Sequence, residues 1–160
     1  MIFVTVGTHE QQFNRLIKIV DELVADGTIN EEVIIQKGFS DYEPCHCQSY
    51  KLIGYKDMQK YYDEARIVIT HGGPASFMAA LERNKTPIVM PRLKKYNEHV
   101  NDHQDYFCRE VEKRFGNINV VENKEGLVNV LKNDIRQKKN DSSNNSAFNK
   151  ALQEMIGGLI

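Results

Sequence analysis

The sequence predicts an open, doubly wound α/β fold built on a parallel sheet of about six strands. Three observations lead there. Short β-branched runs alternate along the chain with stretches of helical periodicity. The runs are apolar at nearly every position, as strands covered on both faces must be. The alternation holds from the first residues to about residue 134, which is the pattern of helices laid on both sides of one sheet.

Residues 2–6, IFVTV, form a first strand ended by Gly7. From Phe13 to Ala25 the residues Phe13, Leu16, Ile17, Ile19, Val20, Leu23 and Val24 recur at helical spacing. VIIQ at 33–36 is a second strand ahead of Gly38, and YKLIGY at 50–55 a third. A helix over 58–65 follows, with Asp57 as its N-cap. RIVIT at 66–70 is the fourth strand. Pro74, a residue suited to the first helical turn, opens a helix to about Asn84. Pro87 and Pro91 bracket a fifth strand. A helix from His99 to Lys113, a strand at 118–121 and a helix from Lys124 to Asp134 complete a domain over 1–135. The polar tract RQKKNDSSNNS, 136–146, reads as a flexible linker. Residues 147–160 then place Phe148, Leu152, Met155 and Ile156 on one face of a short amphipathic helix, expected to fold back on its own domain, with docking on a partner or membrane surface as the alternative.

At 160 residues the chain is large enough for one sizeable core. Lys and Arg total 21 against 22 Asp and Glu, so the basic excess of a nucleic-acid binder is missing and no nucleic-acid partner is expected. No apolar run approaches the roughly 18–20 residues of a membrane span. The opening MIFVTVG lacks the basic region and cleavage site of a signal peptide, so the expected location is cytoplasmic. Cys45, Cys47 and Cys108 are an odd set without a disulfide framework, in keeping with a reducing compartment. CHC at 45–47 offers three zinc-type ligands, but no second cluster completes a tetrahedral site, and no metal is expected.

Ligands of doubly wound folds sit at the carboxyl ends of the strands, and three such ends carry chemistry here. After the first strand come Gly7, Thr8 and His9, a helix-opening turn suited to phosphate, with His9 a candidate phosphate donor or base, or else a polar loop histidine without function. Neither GxGxxG nor GxxxxGK[ST] is present, so neither a dinucleotide fingerprint nor a P-loop is supported. After the fourth strand, His71 is followed by Gly72 and Gly73, which let bare backbone approach a ligand, and by Pro74, Ala75 and Ser76 in the first helical turn. A plain glycine turn capped by Ser76 is the alternative. After the fifth strand comes a loop dense in Arg92, Lys94, Lys95, Asn97, His99, Asn101, Asp102, His103 and Gln104. It reads either as a polar surface for a hydroxyl-rich ligand or as a solvated basic loop. His99 and His103, four apart on the expected helix, have no third ligand for a metal. In this order along the chain, the three loops suit a nucleotide sugar.

HGGPASFMAALERNKTPIVMPR followed by EHVNDHQ resembles the C-terminal, donor-binding half of GT-B glycosyltransferases, a Rossmann-like domain. The resemblance is to the group of the lipid II-forming N-acetylglucosaminyltransferase of peptidoglycan synthesis. With the opening IFVTVGTHEQQFNRL and the short length, the chain looks still more like catalytic subunits of two-component enzymes, among them bacterial exopolysaccharide or capsule β-1,4-galactosyltransferase subunits. The resemblance implies an inverting hexosyltransferase without a cofactor or bound metal, taking a UDP-sugar of galactose or N-acetylglucosamine to a lipid-linked saccharide acceptor. It implies donor contacts from Gly7, Thr8, the turn His71–Ser76, Asn101 and Gln104. It also implies a membrane-anchored partner subunit that brings the acceptor and holds the chain at the inner face of the membrane. Self-association is the other way to cover a face left open by a missing half. Many members of the group hold ribose with a glutamate in the helix after the glycine turn, whereas here Ala79 stands at that place and Glu82 three residues on. The alternative function is a nucleotide-sugar-binding or regulatory module without catalysis.

Overall fold

The computed structural model describes residues 1–133 together with Lys150 and Glu154. Its strands are β1 (Ile2–Thr5), β2 (Val33–Gln36), β3 (Gln48–Tyr50), β4 (Ile67–His71), β5 (Ile88–Met90) and β6 (Asn119–Val120). Its helices are α1 (Asn14–Ala25), α2 (Tyr55–Glu64), α3 (Pro74–Leu81), α4 (His103–Phe115) and α5 (Lys124–Lys132). All strand pairs are parallel, in the order β3-β2-β1-β4-β5-β6, which is the doubly wound sheet that the alternating pattern predicts.

Side chains alternate across the sheet, so each strand feeds two cores. Ile2, Val4 and Val6 join Phe13, Leu16, Ile17 and Val20 from the α1 segment and Leu127 of α5 on one face. Phe3 turns the other way, into a cluster with Tyr62 of α2 and Ala80 of α3. Val89 packs on that second face with Phe77, Phe107 and Val111. The direction of winding reverses between β1 and β4. The chain leaves β1 towards β2 on one side and leaves β4 towards β5 on the other. The two loops therefore part above these neighbouring strand ends and leave a crevice.

Several boundaries differ from the sequence expectation. The third strand is Gln48–Tyr50 rather than 50–55, because this edge segment leaves the sheet after the Tyr50 and Lys51 carbonyls accept from the N–H groups of Lys37 and Gly38. α2 consequently starts at Tyr55 with Gly54 as its N-cap, and Asp57 lies in the first turn instead of capping it. α3 stops at Leu81: Asn84 enters the left-handed region (φ 58°) and the Lys85 N–H returns to the Ala80 carbonyl at 3.1 Å. α4 starts at His103, not His99, because a 3-10 turn at Lys94–Tyr96 ends in left-handed Asn97. The Glu98 carboxylate then holds that loop by accepting from the Leu93 N–H at 3.0 Å. The expected linker at 136–146 and most of the terminal helix at 147–160 lie outside the described residues. No helix among the described residues is long and apolar enough to cross a membrane.

The CHC segment is a strapped loop. Asp21 on α1, 3% exposed, accepts from the N–H groups of Cys45 (3.1 Å) and His46 (2.8 Å) and from the Tyr42 hydroxyl (2.9 Å). Burial alone would raise the Asp21 carboxyl; the His46 and Cys45 N–H groups, the Tyr42 hydroxyl and the His46 ring together outweigh it and hold the group below its ordinary value. Burial and the Asp21 charge push the neighbouring Cys47 thiol up to about 12, so it stays protonated. A carboxyl held below its unfolded pKa stabilises the fold above about pH 4, and that contribution disappears as pH falls through the folded value. Asp21→Ala is expected to lower stability by about 2 kcal/mol near neutrality, and urea melts should show the gap from the parent protein narrowing below about pH 4.

Candidate functional site

A cleft of about 760 Å³ opens at the crevice between the β1 and β4 ends. One side is the turn after β1 with Gly7, Thr8 and His9. The floor holds Thr5, Gln36 and His71, and the first turns of α3 contribute Gly73, Pro74, Ala75, Ser76 and Ala79. The far wall is the approach to α2 and its first turns, where Leu52, Ile53, Tyr55, Met58, Gln59 and Tyr62 stand.

His71 ends β4 with its ring 7% exposed and clamped between two glycines. A Cβ on Gly7 would stand 2.5 Å from its Nε2, and one on Gly73 would stand 2.3 Å from its Cε1. Gly7 also has φ +77°, which side-chain-bearing residues avoid. Burial first, and then the Arg92 charge, push His71 down to about 3, so the imidazole is neutral at any physiological pH. The Gly73 N–H donates to Nδ1 at 3.1 Å. The single ring proton therefore sits on Nε2, which donates to Ser76 Oγ at 3.0 Å. With its oxygen occupied in this way, the Ser76 hydroxyl keeps its own proton to donate. It does so in the first turn of α3, where no side chain caps the helix and the Ala75 N–H, without a partner among the described residues, lies at the positive end of the dipole. An anion in the cleft would meet all three.

Arg92, directly after β5, is wholly buried. Its guanidinium donates to four main-chain carbonyls: Val6 at 2.7 Å, Gln11 at 2.8 Å, Gln12 at 3.3 Å and Glu98 at 3.0 Å. It also lies 5.1 Å from the centre of the Phe13 ring. Burial lowers its pKa to about 10, against the opposing pull of Glu98, and leaves it charged. The Glu98 carboxylate itself is gripped by both arms of Arg15 at 3.0 Å. Gln104 accepts the Arg92 N–H at 3.2 Å and fills the space that a Cβ on Gly72 would need.

Residues 1–156 match the glycosyltransferase family 28 C-terminal domain. The chain belongs to that family. Solved structures with the same fold include the glycosyltransferase SnogD from Streptomyces nogalater, 19% identical, covering 96% of this chain and 38% of that one, with a TM-score of 0.54. The calicheamicin glycosyltransferase CalG4 is 11% identical, with 96% and 37% covered and a TM-score of 0.57. The glycotransferase of kitacinnamycin is 14% identical, with 96% and 39% covered and a TM-score of 0.55. This family 28 domain therefore spans less than two-fifths of each of those chains. No curated protein matches the chain significantly in sequence.

Of the residues singled out in sequence, the family 28 domain brings Gly7, Thr8, His9, His71, Gly73, Pro74, Ala75 and Ser76 to one cleft. Gly72 and Gln104 pack behind it. Asn101 accepts the His103 N–H at 3.0 Å at the start of α4 and is absent from the cleft lining. His99 and His103 share no helix, and His99 stacks on His9 instead. Among the described residues no group of three or more His, Cys, Asp or Glu is placed to hold a metal ion. Ala79 does line the cleft, while Glu82 is exposed and does not.

Three features were not legible in the sequence. Gln36, the last residue of β2, accepts from the Gly7 N–H at 3.2 Å and returns its amide to the Gly7 carbonyl at 3.0 Å, which frames the turn. Its only local signal was a polar residue closing an apolar strand. Arg92 read as part of a basic loop and is an internal brace. The α2 wall, with Tyr55 79% and Leu52 58% exposed, read only as strand and helix. On that wall Arg83 bonds the Gln59 amide oxygen, and Gln59 lines the same cleft as Ala79. Arg92→Met strips four carbonyls of their donor, so urea melts should show a loss of about 3 kcal/mol or more, with Arg15→Met less affected.

Proposed function

We propose that this domain is the donor half of an inverting glycosyltransferase. It takes a UDP-sugar, of galactose or N-acetylglucosamine, and serves polysaccharide biosynthesis by transfer to a lipid-linked saccharide. The observation that carries the reading is the Ser76 hydroxyl, held by a neutral His71 at the uncapped start of α3 inside the cleft. That arrangement suits a diphosphate. The apolar and aromatic α2 wall, with the Gln59 amide, suits the attached nucleoside. Family membership and coverage of less than two-fifths of whole glycosyltransferases support a half-site. In this reading a membrane-anchored partner subunit supplies the acceptor half and keeps the chain at the inner membrane face.

The reaction is a displacement at the anomeric carbon. The acceptor oxygen forms its bond opposite UDP. The bond from that carbon to the diphosphate oxygen breaks, and its electron pair leaves with UDP. The α3 dipole and the Ser76 hydroxyl meet the developing negative charge without reorganising. A base must take the acceptor proton, and His9 lines the cleft with a ring nitrogen that has no hydrogen bond among the described residues.

UDP is expected to raise the melting temperature of the isolated chain, since a ligand of the folded state stabilises it. No shift or heat at millimolar UDP would overturn the reading. Ser76→Ala and His71→Ala should each weaken UDP about tenfold, the value of one charge-assisted hydrogen bond, while both variants stay folded by circular dichroism.

A further inference from the structure

His9 and His99 come from loops far apart in sequence, yet their rings stack with centroids 4.6 Å apart and planes 14° from parallel. His9 Nε2 also lies 2.8 Å from the Gln11 side-chain oxygen, an atom that only accepts. In the neutral ring Nε2 therefore carries the His9 proton and Nδ1 keeps its lone pair. Among the described residues no hydrogen bond reaches that Nδ1. One ring face, one edge and one tautomer of His9 are thus fixed by protein, and a single basic nitrogen is left over in a residue that lines the cleft.

The ring beneath it cannot compete for the proton. His99 is half-buried and its Nδ1 is enclosed with no partner among the described residues. Burial first, then the charges of His9, Arg92 and His103, hold it below its ordinary value, against a bond with Asn101 that raises it. His71, on β4, is neutral, and Arg92 is the fixed positive charge of this corner. Two imidazolium rings in face contact beside that guanidinium would repel, which disfavours charge on His99.

We infer that His99 is a positioning residue, whose stacked ring fixes the His9 imidazole in the cleft wall with Nδ1 as its one open, unprotonated nitrogen. Its catalytic meaning rests on the glycosyl transfer proposed above. As the acceptor oxygen bonds to the anomeric carbon and UDP leaves with the electron pair, the acceptor proton passes to His9 Nδ1. The resulting imidazolium keeps its Nε2 bond to Gln11.

Ring-nitrogen NMR of the intact chain tests the inference without any activity measurement. In the parent protein the His9 signals should show a protonated Nε2 and an unprotonated Nδ1. His99→Ala should erase that signature, drawing the two nitrogen shifts towards the common average of a freely exchanging ring. His99→Phe keeps a flat ring face and should restore it. The inference is overturned if His9 reads the same in His99→Ala as in the parent, or if His99→Phe is as averaged as His99→Ala. UDP thermal shifts on the same three proteins separate the two proposals. UDP binding with unchanged His9 signals sinks the positioning role alone, whereas the expected ring signals with no UDP binding sink the donor reading and leave the ring geometry standing.

Discussion

A charged guanidinium buried under the cleft sets the terms for everything around it. Placing an isolated charge in a protein interior is prohibitively costly unless polar partners replace its water. Arg92 finds those partners in the carbonyls of Val6, Gln11, Gln12 and Glu98. The first three belong to the turn after β1 and the last to the loop after β5, so the need to solvate one side chain pins two loops to each other. Arg15 completes the brace from α1. It holds the Glu98 carboxylate with two arms, reaches the Pro91 carbonyl at 3.1 Å, and lies 4.7 Å from the centre of the Tyr96 ring. Among the described residues the Arg92 guanidinium meets carbonyl oxygens rather than a direct carboxylate contact, although the Glu98 charge acts on it.

On that pinned frame the β4 end behaves as a rigid instrument. Glycine at 7 and 73 lets the His71 ring come closer to two stretches of backbone than any side-chain-bearing residue permits. The resulting burial keeps the ring neutral, and neutrality makes it a defined donor–acceptor pair rather than a charge. Gly73 reads one nitrogen and Ser76 the other. The glycines thus serve packing against an imidazole, and through it they orient a hydroxyl. The α2 wall is different in kind: it is largely apolar and aromatic and partly solvent-facing, with the Gln59 amide and tyrosine hydroxyls as its polar groups, so it offers area and shape where the β4 end offers direction.

The same physics explains which readings of the basic loop were right. Lys94 and Lys95 are solvated, as an ordinary loop would be. Arg92, two residues earlier, is internal, because from the end of β5 its side chain reaches past β4 to the carbonyls of the turn after β1. His99 was expected on a helix face with His103, but the short turn at Lys94–Tyr96 and left-handed Asn97 delay α4 and swing His99 towards His9. Nothing within ten residues of His99 signals that partner.

The sequence by itself determined the alternation of strands and helices, the parallel doubly wound class and the glycine-rich turns at 7 and 72–73. These follow from local causes: periodicity, β-branching, and the backbone freedom of glycine. It also placed His71 and Ser76 in one turn, since five residues across a strand–helix junction stay together in any fold of this class. Only the tertiary structure decided that β1 and β4 are neighbours with diverging loops. From that adjacency, and from the pairing of β1 with β2, come the His71 clamp between Gly7 and Gly73, the Gln36 frame, the internal Arg92 and the stacked His9–His99 pair. Each joins residues distant in the chain, and their meeting is set by strand order and burial, which no local pattern of residues encodes.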